Sequence, residues 1–185
     1  MTKFVVGIIL GVAVVFGGVY AYFMYGFAPV ATSARPMPFE KRFAKGALHA
    51  HINREMPKDV PLAWDEANLV AGAQVYKEHC AVCHGLPGQD QTPIAKGMFP
   101  QPPKLMEGTG VTDDPPQESF WKVQNGIRMT GMPGFQNTLT APQLWQVSLM
   151  LANANKLPQS AKDVLSATIS AAQQSAPSAP KPMRR

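Results

Sequence analysis

Five consecutive residues carry the most specific chemistry in this sequence: Cys80-Ala81-Val82-Cys83-His84. They include the only two cysteines of the chain and place a histidine directly after the second one. This C-x-x-C-H spacing is the attachment signature of a c-type haem, in which each thiol forms a thioether with one haem vinyl group. The adjacent imidazole then ligates the iron. We therefore predict Cys80 and Cys83 as covalent haem anchors and His84 as an axial ligand of the iron.

Paired cysteines also serve two other chemistries, and the sequence argues against both. A structural zinc site needs two more ligands at suitable spacing, and the chain has no further cysteine to supply one. A thioredoxin-like redox dithiol belongs to a βαβ pattern, which is not visible around residues 80–83. The haem interpretation therefore remains the favoured one.

The segments on either side of the motif have different character. Asp65 is a good N-cap residue, so a helix is predicted from there to about His79, and it delivers Cys80 from its C-terminal end. From Gly85 to Pro116 the chain is rich in glycine and proline and has no sustained periodicity. A stretch of this length is too long for an ordinary loop, and wrapping around a haem edge suits it.

Two further helices are predicted downstream. Glu118 begins a short helix that Gly126 ends. Thr140 and Gln143 have the spacing of a capping box, which predicts the start of a last helix that ends near Asn155. The loop between these two helices contains methionines, which are potential iron ligands.

This order of features resembles class I c-type cytochrome domains, especially the monohaem domains of membrane-associated bacterial cytochromes. The resemblance covers residues 62–157, roughly half of the chain. It implies an all-α fold, a class I cytochrome c domain of three to four helices around one covalently bound haem c. It also implies that the last helix, with Trp145, crosses the first at Gly72 and Tyr76. The chain departs from many relatives in having Leu149 and Met150 where they place a tyrosine.

The resemblance also implies the sixth iron ligand. In the loop of residues 128–135, Gly-Met-Pro followed by an aromatic residue matches the axial-methionine motif of the family, which identifies Met132. Met129 is the alternative in the same loop, and Met98 and Met106 are more distant candidates. A thioether ligand stabilises ferrous iron and raises the reduction potential, as suits an electron carrier.

A ligating histidine needs an acceptor for its other ring nitrogen. In the family this acceptor is a proline carbonyl two positions before a leucine. Pro103, which precedes Leu105 by two positions, matches that pattern, and Pro102 is the alternative.

The N-terminal region predicts a membrane anchor. Residues 4–27 carry no charge and are almost wholly apolar, long enough to cross a bilayer as a helix. The hydrophobic part of a secretory signal is shorter, roughly 7–15 residues. An uncleaved anchor is therefore favoured, with cleavage near Ala34 as the alternative. We divide the chain into an anchor (1–30), a linker with a short amphipathic helix (31–61), the haem domain (62–157) and a flexible Ala/Ser/Pro-rich tail (158–185). The amphipathic helix could lie on the membrane surface or pack against the domain, and a possible helix begins the tail.

The net charge of +5 lies in the flanks of the chain. Residues 57–157 contain seven Lys/Arg and nine Asp/Glu, so the haem domain itself is slightly acidic. Nucleic-acid binding is not predicted, because the basic residues neither cluster on the domain nor alternate with aromatics. Membrane lipid is the expected partner of the basic flanks.

The orientation of the anchor involves a conflict. The basic residues that follow the apolar segment would place the large C-terminal part in the cytoplasm by the positive-inside rule. Covalent haem attachment takes place on the outer face of the bacterial inner membrane, and we give this chemistry more weight. The expected location is a single-pass inner-membrane protein with its haem domain in the periplasm.

With both axial positions filled by His84 and Met132, the chain need not transform a substrate. We predict an electron carrier rather than an enzyme, transferring one electron at a time in a membrane-bound respiratory chain. Its partners would be redox proteins such as a membrane oxidoreductase or a terminal oxidase. One alternative is a cytochrome subunit of a larger membrane oxidoreductase complex. Another is a haem enzyme or gas sensor with a displaceable sixth ligand.

Overall fold

The computed structural model describes residues 1–107 and 114–167, and every regular element within those ranges is an α-helix, as predicted. The tail predicted for residues 158–185 lies outside the described residues from position 168 onward. The helices in the described ranges are α1 (Thr2–Met24), α2 (Glu40–Glu55), α3 (Glu66–His79), α4 (Ala81–His84), α5 (Pro93–Lys96), α6 (Pro116–Asn125), α7 (Ala141–Ala152) and α8 (Gln159–Ser166).

The centre of the fold is the crossing of α3 and α7. Helix α3 begins after Asp65, whose carboxylate accepts a hydrogen bond from the Asn68 amide at 2.8 Å. Further along, Gly72 lies directly against the backbone of Gln146, and a Cβ placed on it would be 2.8 Å from the Cβ of Met150. Only glycine allows so close an approach. The predicted N-cap and the crossing that the resemblance implies are both confirmed.

Helix α7 also packs against α6. The capping box at its start is present: the Thr140 hydroxyl accepts from the Gln143 amide, and the Gln143 side chain accepts from the Thr140 amide at 2.9 Å. On the buried face of α7, Trp145 stacks on Phe120 of α6 with ring centroids 4.0 Å apart and planes 16° from parallel. Stacked aromatics of this kind contribute about 0.5–1.5 kcal/mol beyond the area they bury.

Helix α8 extends the core past residue 157, where the sequence placed the end of the domain. Its buried residues Ala161 and Leu165 join the same hydrophobic cluster as α3 and α7. The Lys77 ammonium of α3 also donates to the Val164 carbonyl at 3.0 Å. The short apolar stripe of α8 gave too little periodicity to distinguish a packed helix from the start of a tail.

Helix α2 packs against α6 through its C-terminal half. Ile52 is fully buried there, although the rest of the helix is largely exposed. The sequence left open whether this helix packs on the domain or lies on a membrane. The burial of Ile52 shows that one face of α2 packs on the domain.

Helix α1 is long and apolar enough to cross a membrane. It has 23 residues and a mean hydropathy of 2.5, and none of its residues is buried. An anchor and a secretory signal share these properties, so the helix is compatible with either.

The irregular segment between Gly85 and Pro116 contains one helical turn that the sequence analysis missed. Thr92 caps α5 by accepting a hydrogen bond from the Ala95 amide at 3.2 Å, and Pro93 occupies the first helical position. A capping threonine followed by proline is a helix-start signal. This helix was not predicted, because a turn of only four residues shows no helical periodicity.

Candidate haem site

One helical turn holds the three residues of the predicted attachment motif. Cys80 ends α3, its amide donating to the Tyr76 carbonyl at 2.8 Å, and α4 begins directly after it. The Cys80 carbonyl in turn accepts from the amides of Cys83 and His84, at 3.1 and 2.9 Å. Residues three and four apart are neighbours on a helix surface. The turn therefore groups both thiols and the imidazole.

Two side chains tie this turn to the rest of the fold. The buried Tyr76 hydroxyl donates to the Gly85 carbonyl at 2.7 Å, and the Thr92 hydroxyl donates to the Val82 carbonyl at 2.7 Å. Burial, with a smaller contribution from Cys80, raises the pKa of Tyr76, so its phenol remains a donor at any physiological pH. Both bonds were missed by the sequence analysis, because a lone Tyr or Thr gives no sign of its partner.

The His84 ring is oriented by a backbone carbonyl. Its Nδ1 lies 2.8 Å from the Pro103 carbonyl oxygen. Since a carbonyl only accepts, Nδ1 carries the hydrogen and Nε2 keeps its lone pair. The neighbouring Pro102 carbonyl accepts instead from the Gln91 side chain at 2.7 Å. Of the two prolines considered, Pro103 is thus the one whose carbonyl meets the histidine.

The surroundings of His84 favour its neutral form. Burial lowers the pKa of its imidazole, and the hydrogen bond to Pro103 opposes this only in part. Neutral imidazole is the form that ligates a metal ion. The hydrogen bond to Pro103 thus orients the ring, and burial favours the protonation state that an axial ligand needs.

The two thiols are free and partly buried. Burial, and to a lesser extent the proximity of Cys83, raises the pKa of Cys80 to about 12. Redox-active dithiols depend on a lowered cysteine pKa, and Cys80 shows the opposite shift. No group of three or more His, Cys, Asp or Glu side chains suited to a metal ion occurs within residues 1–107 and 114–167.

The loop that carries Met132 is held by the backbone. The Ile127 amide donates to the Met132 carbonyl at 3.2 Å, and the Met132 amide donates to the Thr130 hydroxyl at 3.1 Å. After the methionine, the Phe135 amide donates to the Val123 carbonyl of α6 at 2.9 Å. Hydrogen bonds on both sides of Met132 thus fix this part of the loop against the end of α6.

Two glycines allow this loop to approach α6. A Cβ on Gly126, whose φ is +70°, would lie 2.5 Å from the Gly134 nitrogen. A Cβ on Gly134 would lie 2.8 Å from the backbone of Asn125. Both distances are far below van der Waals contact, so side chains at these positions would push the loop away. The sequence analysis read Gly126 only as a helix end and did not anticipate this contact.

The four candidate methionines differ in their surroundings. Met132 is partly buried and packs against the hydrophobic core. Met129 has a positive φ of 60° and is 92% exposed, which is unlike a ligand held in a pocket. The Met98 thioether lies against Gly131, and Met106 packs against the core beside α8.

The chemistry of these residues fits one c-type haem. Cys80 and Cys83 offer two free thiols, His84 offers a neutral imidazole with Nε2 unprotonated, and Met132 offers a thioether from a braced loop. These are the donors that such a haem requires: two thioether anchors and two axial ligands.

Comparisons with known proteins found one family model and one solved structure that are similar to part of the chain. Residues 67–149 match the family model described as "Cytochrome C oxidase, cbb3-type, subunit III". No curated protein matches the chain. A chain of the solved "Kuenenia stuttgartiensis reducing HAO-like protein complex Kustc0457/Kustc0458" is similar with 25% sequence identity and a TM-score of 0.45. The match covers 54% of this chain and 50% of that one, so the chain spans about half the length of this relative.

Proposed function

We propose that this chain is a membrane-anchored carrier of single electrons with one haem c, a proposal supported by the match of residues 67–149 to a cytochrome family model. The axial ligands are His84 and Met132, and the covalent anchors are Cys80 and Cys83. The proposed location is the bacterial inner membrane, with the haem domain on the periplasmic side.

The observation that carries the proposal is that hydrogen bonds hold both the predicted histidine ligand and the predicted methionine ligand. The Pro103 carbonyl holds His84 Nδ1 at 2.8 Å, and hydrogen bonds to Ile127 and Thr130 hold Met132. A site in which the protein supplies both axial ligands favours electron transfer over binding of a substrate to iron. A bound haem c supplies the ferric/ferrous couple, and the residues of the chain hold and insulate it.

The membrane part of the proposal is supported by α1. Its 23 residues match the roughly 20 needed to cross the hydrocarbon core of a bilayer. An anchor of this kind would hold the haem domain next to the membrane, where membrane oxidoreductases and terminal oxidases would exchange electrons with it.

A second candidate is a cytochrome subunit that is permanently bound in a larger membrane oxidoreductase. It is favoured by one observation, namely that the family model matched by residues 67–149 is described as a subunit of a cbb3-type oxidase. Purification of the full-length protein in mild detergent separates the two candidates. Stoichiometric co-purification with other membrane subunits supports the second candidate, and isolation as a single haem protein supports the free carrier.

The electron-carrier function itself is tested by carbon monoxide. We expect the reduced, full-length holoprotein to show a six-coordinate low-spin spectrum that carbon monoxide does not change rapidly, and a single one-electron wave in a redox titration. Rapid and complete formation of a carbon monoxide complex would contradict the proposal and favour the alternative of a haem enzyme or gas sensor.

A further inference from the structure

We propose that α2 binds the surface of an anionic lipid bilayer through the face that carries Phe39 and Phe43, while its opposite face binds the haem domain. The helix would thereby hold the haem domain against the membrane in one orientation. This inference rests on the proposed anchor and adds a second, peripheral contact with the bilayer.

The face of α2 that binds the haem domain is defined by contacts with α6. Ile52 is fully buried, and the neighbouring His51 ring meets Trp121 edge to face with centroids 5.5 Å apart. The His49 Nδ1 lies 3.7 Å from the Glu118 carboxylate. This face of α2 is therefore the one that packs on the haem domain.

The opposite face of α2 is aromatic and exposed. Phe43 precedes Ile52 by nine positions, which places the two roughly 180° apart around the helix axis. Phe43 is 73% exposed and Phe39 is 66% exposed, and the two rings meet edge to face with centroids 6.4 Å apart. Ala47 and Ala50 continue the same face with small, exposed side chains. An exposed aromatic pair on a helix that is already docked indicates a second, apolar partner.

The charge around this aromatic pair favours anionic lipid as that partner. Between positions 35 and 45 the chain has four basic side chains and a single acidic one. The acidic residue, Glu40, already accepts a hydrogen bond from the Met37 amide at 2.8 Å. Aromatic side chains beside Lys and Arg are typical of helices that lie in the interface of an anionic membrane. The basic residues are Arg35, Lys41, Arg42 and Lys45, all of them exposed. Arg42 flanks the aromatic pair and Arg35 precedes it, whereas Lys41 and Lys45 lie on the far side of α2 and add to its overall positive charge.

The position of α2 in the chain points to the same partner. Only the connector of residues 25–38 separates α1 from Phe39. Even fully extended, at roughly 3.5 Å per residue, this connector keeps the aromatic pair within about 50 Å of the end of α1. If α1 is in the bilayer, the lipid surface is thus the apolar and charged partner that lies within reach.

Spin labels placed on the full-length holoprotein test this proposal. Haem attachment consumes Cys80 and Cys83, so a cysteine introduced by Phe43→Cys is the only free thiol. Ala44→Cys is the matched control, because Ala44 is exposed, carries no charge and lies about 100° around α2 from Phe43. Both variants are placed in nanodiscs of phosphatidylglycerol and phosphatidylcholine, with the haem reduced to limit its magnetic effect on the label.

The readout is the collision rate of each label with oxygen, which enriches in lipid, and with a nickel chelate, which stays in water. We expect the oxygen-to-nickel ratio to be several-fold higher at position 43 than at position 44. The ratio at position 43 should fall in nanodiscs of phosphatidylcholine alone, because the basic residues then lose their counter-charge.

A third label, at Val12→Cys in α1, separates this proposal from the anchor. Equal access of nickel to positions 43 and 44, with position 12 shielded from nickel, would overturn the proposal and leave the anchor intact. Protection of position 43 from both reagents would mean that protein covers this face, which also overturns it. Access of nickel to position 12 would overturn both the anchor and the contact that depends on it.

Discussion

The two sides of the proposed iron site are built in different ways. On the histidine side (residues 80–85 with Pro103), the ligand and both anchors lie within one helical turn, and side chains bond to backbone carbonyls. On the methionine side (residues 126–135), the ligand stands alone in a loop, which is held mainly by backbone hydrogen bonds and by glycine contacts with α6.

This difference shows where each side is vulnerable. The histidine side depends on the chemical identity of a few side chains, so it should fail when those side chains are replaced. The methionine side depends on the close approach of two backbones, so it should fail when atoms are added, even at positions that carry no ligand.

The largest effect is expected from Cys80→Ser combined with Cys83→Ser. Without thiols no thioether can form, so covalent haem should be lost completely. Mass spectrometry of the mature protein measures this directly, and also shows whether the N-terminal segment is retained. A covalent haem adduct on the double variant would contradict the assignment of the histidine side.

Gly134→Ala tests the claim that the methionine side depends on close backbone contact. The new Cβ would lie 2.8 Å from the Asn125 backbone, so the loop must shift. We expect a loss of about 1–3 kcal/mol in the free energy of unfolding and partial loss of the charge-transfer band that marks Met–iron ligation.

Gly97→Ala is the matched control for this variant, because its Cβ would meet its nearest neighbour at an ordinary 3.5 Å. Its stability should change by less than about 1 kcal/mol, with the band intact. Equal behaviour of the two variants would show that the approach of the loop to α6 does not matter.

Lys122→Met perturbs α6, which supports the methionine side from outside. The Lys122 ammonium lies 2.6 Å from Glu118 Oε1 and 3.0 Å from Asp114 Oδ2. Its removal leaves the Glu118 carboxylate, whose side chain is only 10% exposed, without its cation. We expect the free energy of unfolding at neutral pH to fall by roughly 1–3 kcal/mol, measured by chemical denaturation.

The pH dependence of this effect has a definite sign. Burial opposes the charged form of Lys122, but the hydrogen bonds to Glu118 and Asp114 outweigh it, and the pKa of Lys122 is raised above 10.5. A raised pKa contributes stability that is complete below the unfolded value and is lost as pH rises through the folded one. As the pH rises from neutral, the difference in free energy of unfolding between the native protein and Lys122→Met should therefore narrow only above about pH 10.5. Narrowing between neutral pH and pH 10.5 would contradict this cause.

The smallest effect is expected from Pro103→Ala. The bond to His84 Nδ1 uses the backbone carbonyl, which alanine retains. The free energy of unfolding should fall by less than about 1 kcal/mol, through greater freedom of the unfolded chain. The optical spectrum and reduction potential should be unchanged. A large fall in potential would mean that the proline ring itself positions the carbonyl.

The same contrast explains what could be predicted from the sequence. The attachment motif is contiguous, and the caps at Asp65 and Thr140 depend on residues three positions apart, so local patterns were sufficient. Met132 required the resemblance to a family, because a lone methionine in a loop carries little information. The contact of Gly126 with Gly134 joins two backbones across a turn, and no local pattern records it.

The packing of helices at the edges of the domain also could not be predicted from local sequence patterns. The sequence placed the end of the domain at residue 157, yet Leu165 is buried in the core. The burial of Ile52 against α6 was one of two outcomes left open. In both cases the helix packs against a partner that is distant in the sequence. The periodicity of the helix itself is therefore a weak guide to where it lies in the fold.

The central claim is that Met132 completes the iron site, and Met132→Ala beside Met129→Ala tests it most directly. Both variants remove a thioether from the same loop, but Met132 is partly buried whereas Met129 is 92% exposed. The account predicts that Met132→Ala abolishes the Met–iron charge-transfer band, lowers the reduction potential and opens the iron to carbon monoxide, while Met129→Ala changes none of these. An unchanged spectrum in Met132→Ala, or loss of the band in Met129→Ala, would contradict it.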